Sequence, residues 1–225
     1  VIIGADGATA NGIPSVGRSY VVFGANTVFP SQLDLSELNL VNGFVLNGEA
    51  LFDFSGTSVS NAGDVNGDGI NDLIIGADGA DPDGNSFAGS SYVVFGSSAG
   101  LPNPFNLDSL NGMNGFVLNG EAQGDFSGQS VSAAGDVNGD GFDDVIIGAF
   151  GADPTGNPSG GSSYVVYGSN AEFSNPLNLG NLNGLNGFVL NGEAQAGRSG
   201  ISVSAAGDVN GDGLDDLIIG GDTAD

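Results

Sequence analysis

Apolar residues along this chain come in short blocks rather than in helical stripes. DLIIGA (72–77), DVIIGA (144–149), SYVVFG (91–96) and GFVLN (43–47) are blocks of apolar and β-branched side chains bounded by Gly, Asn, Asp or Ser. Continuous blocks of this kind predict strands buried on both faces, and the small and polar boundary residues predict turns. SGTSVSNAG (55–63) alternates weakly and is rich in Gly and Ser, which predicts a strand packed close to a neighbouring sheet. Strands are therefore expected at 56–61, 72–77 and 90–96, with 43–47 closing the preceding group. No stretch keeps a 3.6-residue period, and FNLDSLNG (105–112) is good for one short helical turn at most. The pattern predicts an all-β chain.

The blocks recur. IIG stands at 2–4, 74–76, 146–148 and 218–220; SYVV at 19–22, 91–94 and 163–166; GFVLNGEA at 43–50, 115–122 and 187–194. DVNGDG stands at 64–69, 136–141 and 208–213, and every spacing is 72 residues. Counted from residue 1, the units run 1–72, 73–144 and 145–216, and 217–225 opens a fourth that copies the start of the chain. Four strands per unit predict four-stranded antiparallel β-propeller blades, the surplus length lying in loops 78–89 and 97–114 and their equivalents 150–161 and 169–186. Propellers use about 4–8 blades, so three blade-equivalents do not close a ring. The expectation is a stretch of a larger array; chains that associate and an open solenoid are the alternatives.

Composition removes whole classes of function. The 225 residues include 42 Gly and 27 Asp or Glu but no His, Cys, Lys or Trp, and the formal charge is −25. No imidazole base, thiol nucleophile or His/Cys metal site can be built from this set. Arg18 and Arg198 are the only cationic side chains, so no basic surface exists to bind nucleic acid. Apolar blocks of four or five residues are far below the roughly 20 needed for a membrane-spanning helix, and no membrane insertion is expected.

The motif that carries chemistry is DVNGDGIND (64–72), repeated as DVNGDGFDD (136–144) and DVNGDGLDD (208–216). Oxygen-bearing side chains fall at its first, third, fifth and ninth positions: Asp64, Asn66, Asp68 and Asp72; Asp136, Asn138, Asp140 and Asp144; Asp208, Asn210, Asp212 and Asp216. Glycines at the fourth and sixth positions free the backbone to turn, so the seventh carbonyl, of Ile70, Phe142 or Leu214, can face the same centre. An all-oxygen set with three carboxylates suits Ca²⁺, one ion per loop and three in total. The opening matches an EF-hand, but its twelfth position is Ile75, Ile147 or Ile219, not Glu, and no helices flank it. A bare hairpin turn explains Asn-Gly and Asp-Gly, but not the oxygen side chains kept in all three copies.

On these residues the chain resembles the FG-GAP repeat, the blade unit of integrin α-subunit N-terminal β-propellers and of bacterial relatives. FSGTSVSNAGDVNGDGINDLIIGAD (54–78) carries the likeness, which recurs at 126–150 and 198–222. The resemblance implies that the calcium loop joins the first two strands of each blade, with the residues above as ligands. It also implies extracellular or cell-surface display and binding of a protein or glycan, usually in adhesion. Three departures stand out: Phe54 and Phe126 give way to Arg198, Gly-Ala-Pro reads Gly-Ala-Asp, Gly-Ala-Phe and Gly-Gly-Asp, and cysteine is absent, which favours the bacterial type.

The remaining features have plainer readings. The acidic pairs at 143–144 and 215–216 have Asn71 in the first copy, so a catalytic carboxylate pair is not expected. Glu49, Glu121 and Glu193 are expected to bond turns or backbone between blades, and the ring positions 20/23, 92/95 and 164/167 to pack between them. The expected function is a non-enzymatic, calcium-binding adhesion or surface-structural segment. Self-assembly through terminal strands is a second reading, and the propeller part of a carbohydrate-active secreted enzyme a third.

Overall fold

The computed structural model describes residues 1–26 and 28–222 and is built almost wholly of strands; the end of the expected fourth unit, 223–225, lies outside the described residues. The strands are β1 (Ile2–Ala5), β2 (Arg18–Val22), β3 (Gly43–Asn47), β4 (Ser58–Gly63) and β5 (Asp72–Ala77). There follow β6 (Ser90–Val94), β7 (Phe105–Asn106), β8 (Gly115–Asn119), β9 (Ser130–Gly135) and β10 (Asp144–Ala149). The last five are β11 (Ser162–Val166), β12 (Leu177–Asn178), β13 (Gly187–Asn191), β14 (Ser202–Gly207) and β15 (Asp216–Gly220).

These strands form antiparallel, propeller-blade sheets, as the apolar blocks predict. The second sheet runs β4-β5-β6-β8 and the third β9-β10-β11-β13; the first holds β1-β2-β3, and β14 pairs with β15. A 72-residue period fixes the length of a unit and not its phase. The sheets begin at β4, β9 and β14, so units counted from residue 1 cut across each sheet.

One pairing departs from the expected four strands. The connection expected as the loop 97–114 carries β7, which runs parallel to β3 of the preceding sheet, Leu46 opposite Phe105. β12 does the same on β8, Leu177 opposite Leu118. A short 3-10 turn follows each, at Leu107–Ser109 and Leu179–Asn181, where one helical turn was expected. Asn103 holds the first latch in place: its Oδ1 accepts from the Val45 N–H at 3.0 Å and its Nδ2 donates to the Leu38 carbonyl at 3.0 Å. Asn175 repeats both bonds on Val117 and Leu110.

The core lies between sheets rather than within one. Ile75, Tyr92 and Val94 pack with Phe44, Leu46, Phe105 and Leu107 of the first interface. Their strand neighbours Ile74 and Val93 point the other way and pack with Val131, Val145, Ile147 and Tyr164. This alternation is why the blocks read as continuously apolar: both faces are covered. The glycine within each block marks the closest approach. A Cβ on Gly76 would collide with the Gly128 carbonyl oxygen, where the next sheet's chain enters, and Gly148 meets Gly200 in the same way. Replacing Gly76 with Ala is therefore expected to cost about 1–3 kcal/mol, read as a lower urea midpoint; an unchanged midpoint would mean that the sheets do not touch there.

Candidate metal-binding loops

Each DVNGDG segment is the hairpin between the first two strands of a sheet: 64–71 joins β4 to β5, 136–143 joins β9 to β10, and 208–215 joins β14 to β15. A register irregularity precedes every one, between Asn61 and Gly63 in the first copy and between Ala205 and Gly207 in the last. Bulges of this kind sharpen the twist and re-aim the following residues. Gly67 and Gly69 then take φ of 74° and 85°, values that side chains resist, so the loop folds tightly enough for its acids to reach its own amides.

The side chains fall into two groups. Asp64 Oδ1 accepts from the Asp68 N–H at 3.0 Å and Asp64 Oδ2 from the Gly69 N–H at 2.8 Å. Asn66 Oδ1 accepts from that same Asp68 N–H at 2.9 Å, so oxygens of the first and third positions converge on one amide. Asp68 Oδ1 accepts from the Ile70 N–H at 2.8 Å. Asp136, Asn138 and Asp140 repeat this set on residues 140–142, and Asp208, Asn210 and Asp212 on residues 212–214.

The ninth-position aspartates do something else. Asp72 is fully buried, and its two oxygens accept from the Val65 N–H at 2.9 Å and the Gly96 N–H at 2.8 Å. It thereby ties the loop entrance to the exit of the third strand. Asp144 is held the same way by Val137 and Gly168, and Asp216 accepts from Val209. Among the described residues no three carboxylates stand together at metal-ligating separation. In each copy the first, third and fifth side chains gather at the loop, while the ninth is turned onto backbone amides.

Burial, opposed by the amide hydrogen bonds, pushes the Asp72 carboxyl up to about 6 and that of Asp144 to about 7. Asp53 and Asp125 are raised to about 6, again mainly by burial. These two cap the Gly-Glu-Ala turn after β3 and β8, accepting from the Ala50 and Ala122 N–H groups. Beside them Glu49 accepts from the Tyr92 hydroxyl at 3.2 Å, and Glu121 from Tyr164 at 3.1 Å. Glu49 and Glu121 therefore do bond between blades, but to a buried phenol instead of backbone. The pair opens on a cleft of about 520 Å³ whose lining includes Asp81, Asp83 and Asp108.

The position the sequence left unassigned is the eighth of the motif. Asp143 Oδ2 accepts from the Asp64 N–H of the preceding loop at 2.7 Å, and the Asp143 N–H donates to the Asp64 carbonyl at 3.3 Å. Asp215 makes both bonds to Asp136, at 3.0 and 3.3 Å. The seventh side chains reach back too: a Cβ on Gly67 would strike the Phe142 ring, and one on Gly139 the Leu214 side chain. Asn71 in place of an acid hid this role, since a carboxamide oxygen can accept the same bond.

Sheets of this topology, with an acidic loop between the first two strands, define a propeller-blade repeat. The FG-GAP repeat model matches residues 55–94 and 127–166, so the chain carries FG-GAP repeats. It is 32% identical over 156 residues to phosphatidylinositol-glycan-specific phospholipase D of Rattus norvegicus, covering 69% of this chain and 17% of that protein. Integrin alpha-PS2 of Drosophila melanogaster is 30% identical over 65% of the chain, and integrin alpha-5 of Xenopus laevis 28% over 95%. The chain spans 10% and 18% of those integrins. It is thus homologous to a propeller-like part of integrin alpha subunits.

The raised carboxyls set the sign of a pH effect. Asp53, Asp72, Asp125 and Asp144 hold their protons more tightly folded than unfolded, where an aspartate titrates near 3.9. Their favourable contribution is complete below that value and is lost as pH rises through about 6 to 7. In metal-free buffer the melting temperature is expected to rise by about 5–10 °C between pH 8 and pH 5; a fall over that range would contradict the burial of these groups.

Proposed function

We propose that this chain is a non-enzymatic, calcium-stabilised propeller segment that works outside the cell, in adhesion or surface structure. The observation that carries the reading is the three-fold recurrence of an oxygen-only donor set in one structural place, the hairpin between the first two strands of a blade. Asp64, Asn66 and Asp68, with their counterparts at 136, 138 and 140 and at 208, 210 and 212, are the residues that would hold the ions. Asp72, Asp144 and Asp216 stand beside them and fix the loop to the sheet. The donor chemistry fits a hard cation: carboxylate and carboxamide oxygens only, on a backbone free to turn at two glycines. A bound Ca²⁺ supplies positive charge, which the chain scarcely has.

The likeness to integrin alpha subunits supports a binding role, with a protein or glycan as the partner. A non-catalytic part fits a composition without imidazole, thiol or amine side chains. Extracellular placement fits the use of Ca²⁺ as a resident ion. Among the described residues, no helix is long and apolar enough to cross a membrane.

The test is thermodynamic. An ion bound only by the folded chain at 100 times its dissociation constant stabilises by about 2.7 kcal/mol. Excess EGTA is therefore expected to lower the melting temperature by about 10 °C or more, and calorimetric titration to show three ions per chain. Replacing Asp68, Asp140 and Asp212 together with Ala is expected to abolish uptake. An unchanged melt in EGTA, or full uptake by the triple variant, would refute the assignment.

A further inference from the structure

We propose that the three loops fill cooperatively, and that Asp143 and Asp215 are the positioning residues through which one loop prepares its neighbour. The inference rests on the calcium reading above and concerns how the loops act on one another.

The geometry is a two-way contact between consecutive loops. Asp143 is the eighth residue of the second loop, yet its carboxylate holds the N–H of Asp64, the first residue of the first loop, at 2.7 Å. Its own N–H returns to the Asp64 carbonyl. One position before it, the Phe142 ring covers Gly67, the residue whose left-handed turn brings Asp68 back towards Asp64. Immediately after Phe142 and Asp143 comes the strand that Asp144 opens, so the second loop is anchored to its own sheet on one side and to the first loop on the other. The Asp215–Asp136 bonds and the Leu214–Gly139 contact join the third loop to the second in the same manner.

The consequence follows from ordering entropy. A loop that closes on an ion fixes its seventh and eighth residues, and those residues then fix the first and fourth residues of the loop before it. The second ion meets a loop whose ordering has already been met in part, and binds more tightly without any new ligand. Coupling is reciprocal, so filling the first loop helps the second to the same degree. Charge opposes this, because a filled loop attracts the next cation less. That opposing influence is screened over about 8 Å at physiological salt, whereas the hydrogen-bonded contact is direct.

A carboxamide at the eighth position offers the same acceptor oxygen without the charge, so an Asn variant separates the acceptor from the charge.

The experiment is calcium titration of the chain by isothermal calorimetry in 0.15 M NaCl, with the apo melt measured alongside. The second ion is expected to bind about 5–10 times more tightly than the first. Asp143→Ala with Asp215→Ala is expected to bring that ratio to about one, while Asp143→Asn with Asp215→Asn retains most of it. A purely structural role would lower the apo melt in the alanine variant and leave the ratio alone, which overturns the proposal. Three independent sites in the unaltered chain overturn it as well, with calcium binding itself intact. Absence of any uptake overturns both this inference and the calcium reading. If the double alanine variant does not fold, Asp215→Ala alone serves: it keeps the Asp143 contact and is expected to uncouple only the third loop.

Discussion

Twenty-seven carboxylates and two guanidinium groups share this chain, so its acids have almost no cations of their own to pair with. Among the described residues one ion pair forms, Arg198 with Asp222 at 3.4 Å, and both partners are largely exposed. Apart from Glu49 and Glu121, which accept from tyrosine hydroxyls, the remaining acids that organise structure do so against backbone N–H groups. Asp72 takes two, Asp64 takes two, Asp53 and Asp125 one each, and Asp143 takes one from another sheet. An amide dipole stabilises a carboxylate but leaves its charge in place. Burial outweighs those bonds at Asp72 and Asp144 and raises their carboxyls. Among the described residues no ion pair reaches these hairpins, so the proposed Ca²⁺ would supply a charge that the chain does not.

The architecture was legible because it repeats. The continuous apolar blocks DLIIGA and SYVVFG pointed to strands covered on both faces, and 72-residue spacing to successive sheets. Lateral contacts were not legible, and the reason is physical. Periodicity describes which way a side chain points along its own strand, whereas the partner of Asn103, Tyr92 or Asp143 is set by how two sheets stack. The two-residue strands β7 and β12 sit in polar connections without any apolar block, and they exist because the preceding sheet offers an open edge. The loop acids were visible through their spacing, but their division was not. Asp68 and Asp72 look alike in sequence, and only burial separates the exposed loop acid from the one that pins the loop to β6.

Divergence between the copies obeys the same local physics. Phe126 stacks on Phe150 with ring centroids 5.2 Å apart, at the start of one repeat and the exit of its second strand. In the following copy the equivalent positions are Arg198 and Asp222, which form the ion pair. The first copy pairs Phe54 with Asp78 at these positions, so Asp at the second site occurs with and without the aromatic at the first. Between the second and third copies the contact changes from stacking to charge.

Contacts between sheets recur at fixed offsets: 43 residues for the Glu–Tyr bonds, 58 for the Asn clamps, 73 for the Ser58 and Ser130 hydroxyls on the next sheet's Val N–H, and 79 for the loop-to-loop bonds. All of them join one blade to its immediate neighbour. Stability in such an array is a sum of unit and nearest-neighbour terms, and any change at one interface is felt first by the adjoining blade. The loops lie on this path: Asp72 ties a loop to its own sheet, and Asp143 ties the next loop to it. Order imposed at one hairpin therefore has a covalent and hydrogen-bonded route into the sheet behind it, and a hydrogen-bonded one into the hairpin beside it. On the proposed reading, that arrangement couples loop chemistry to blade stacking.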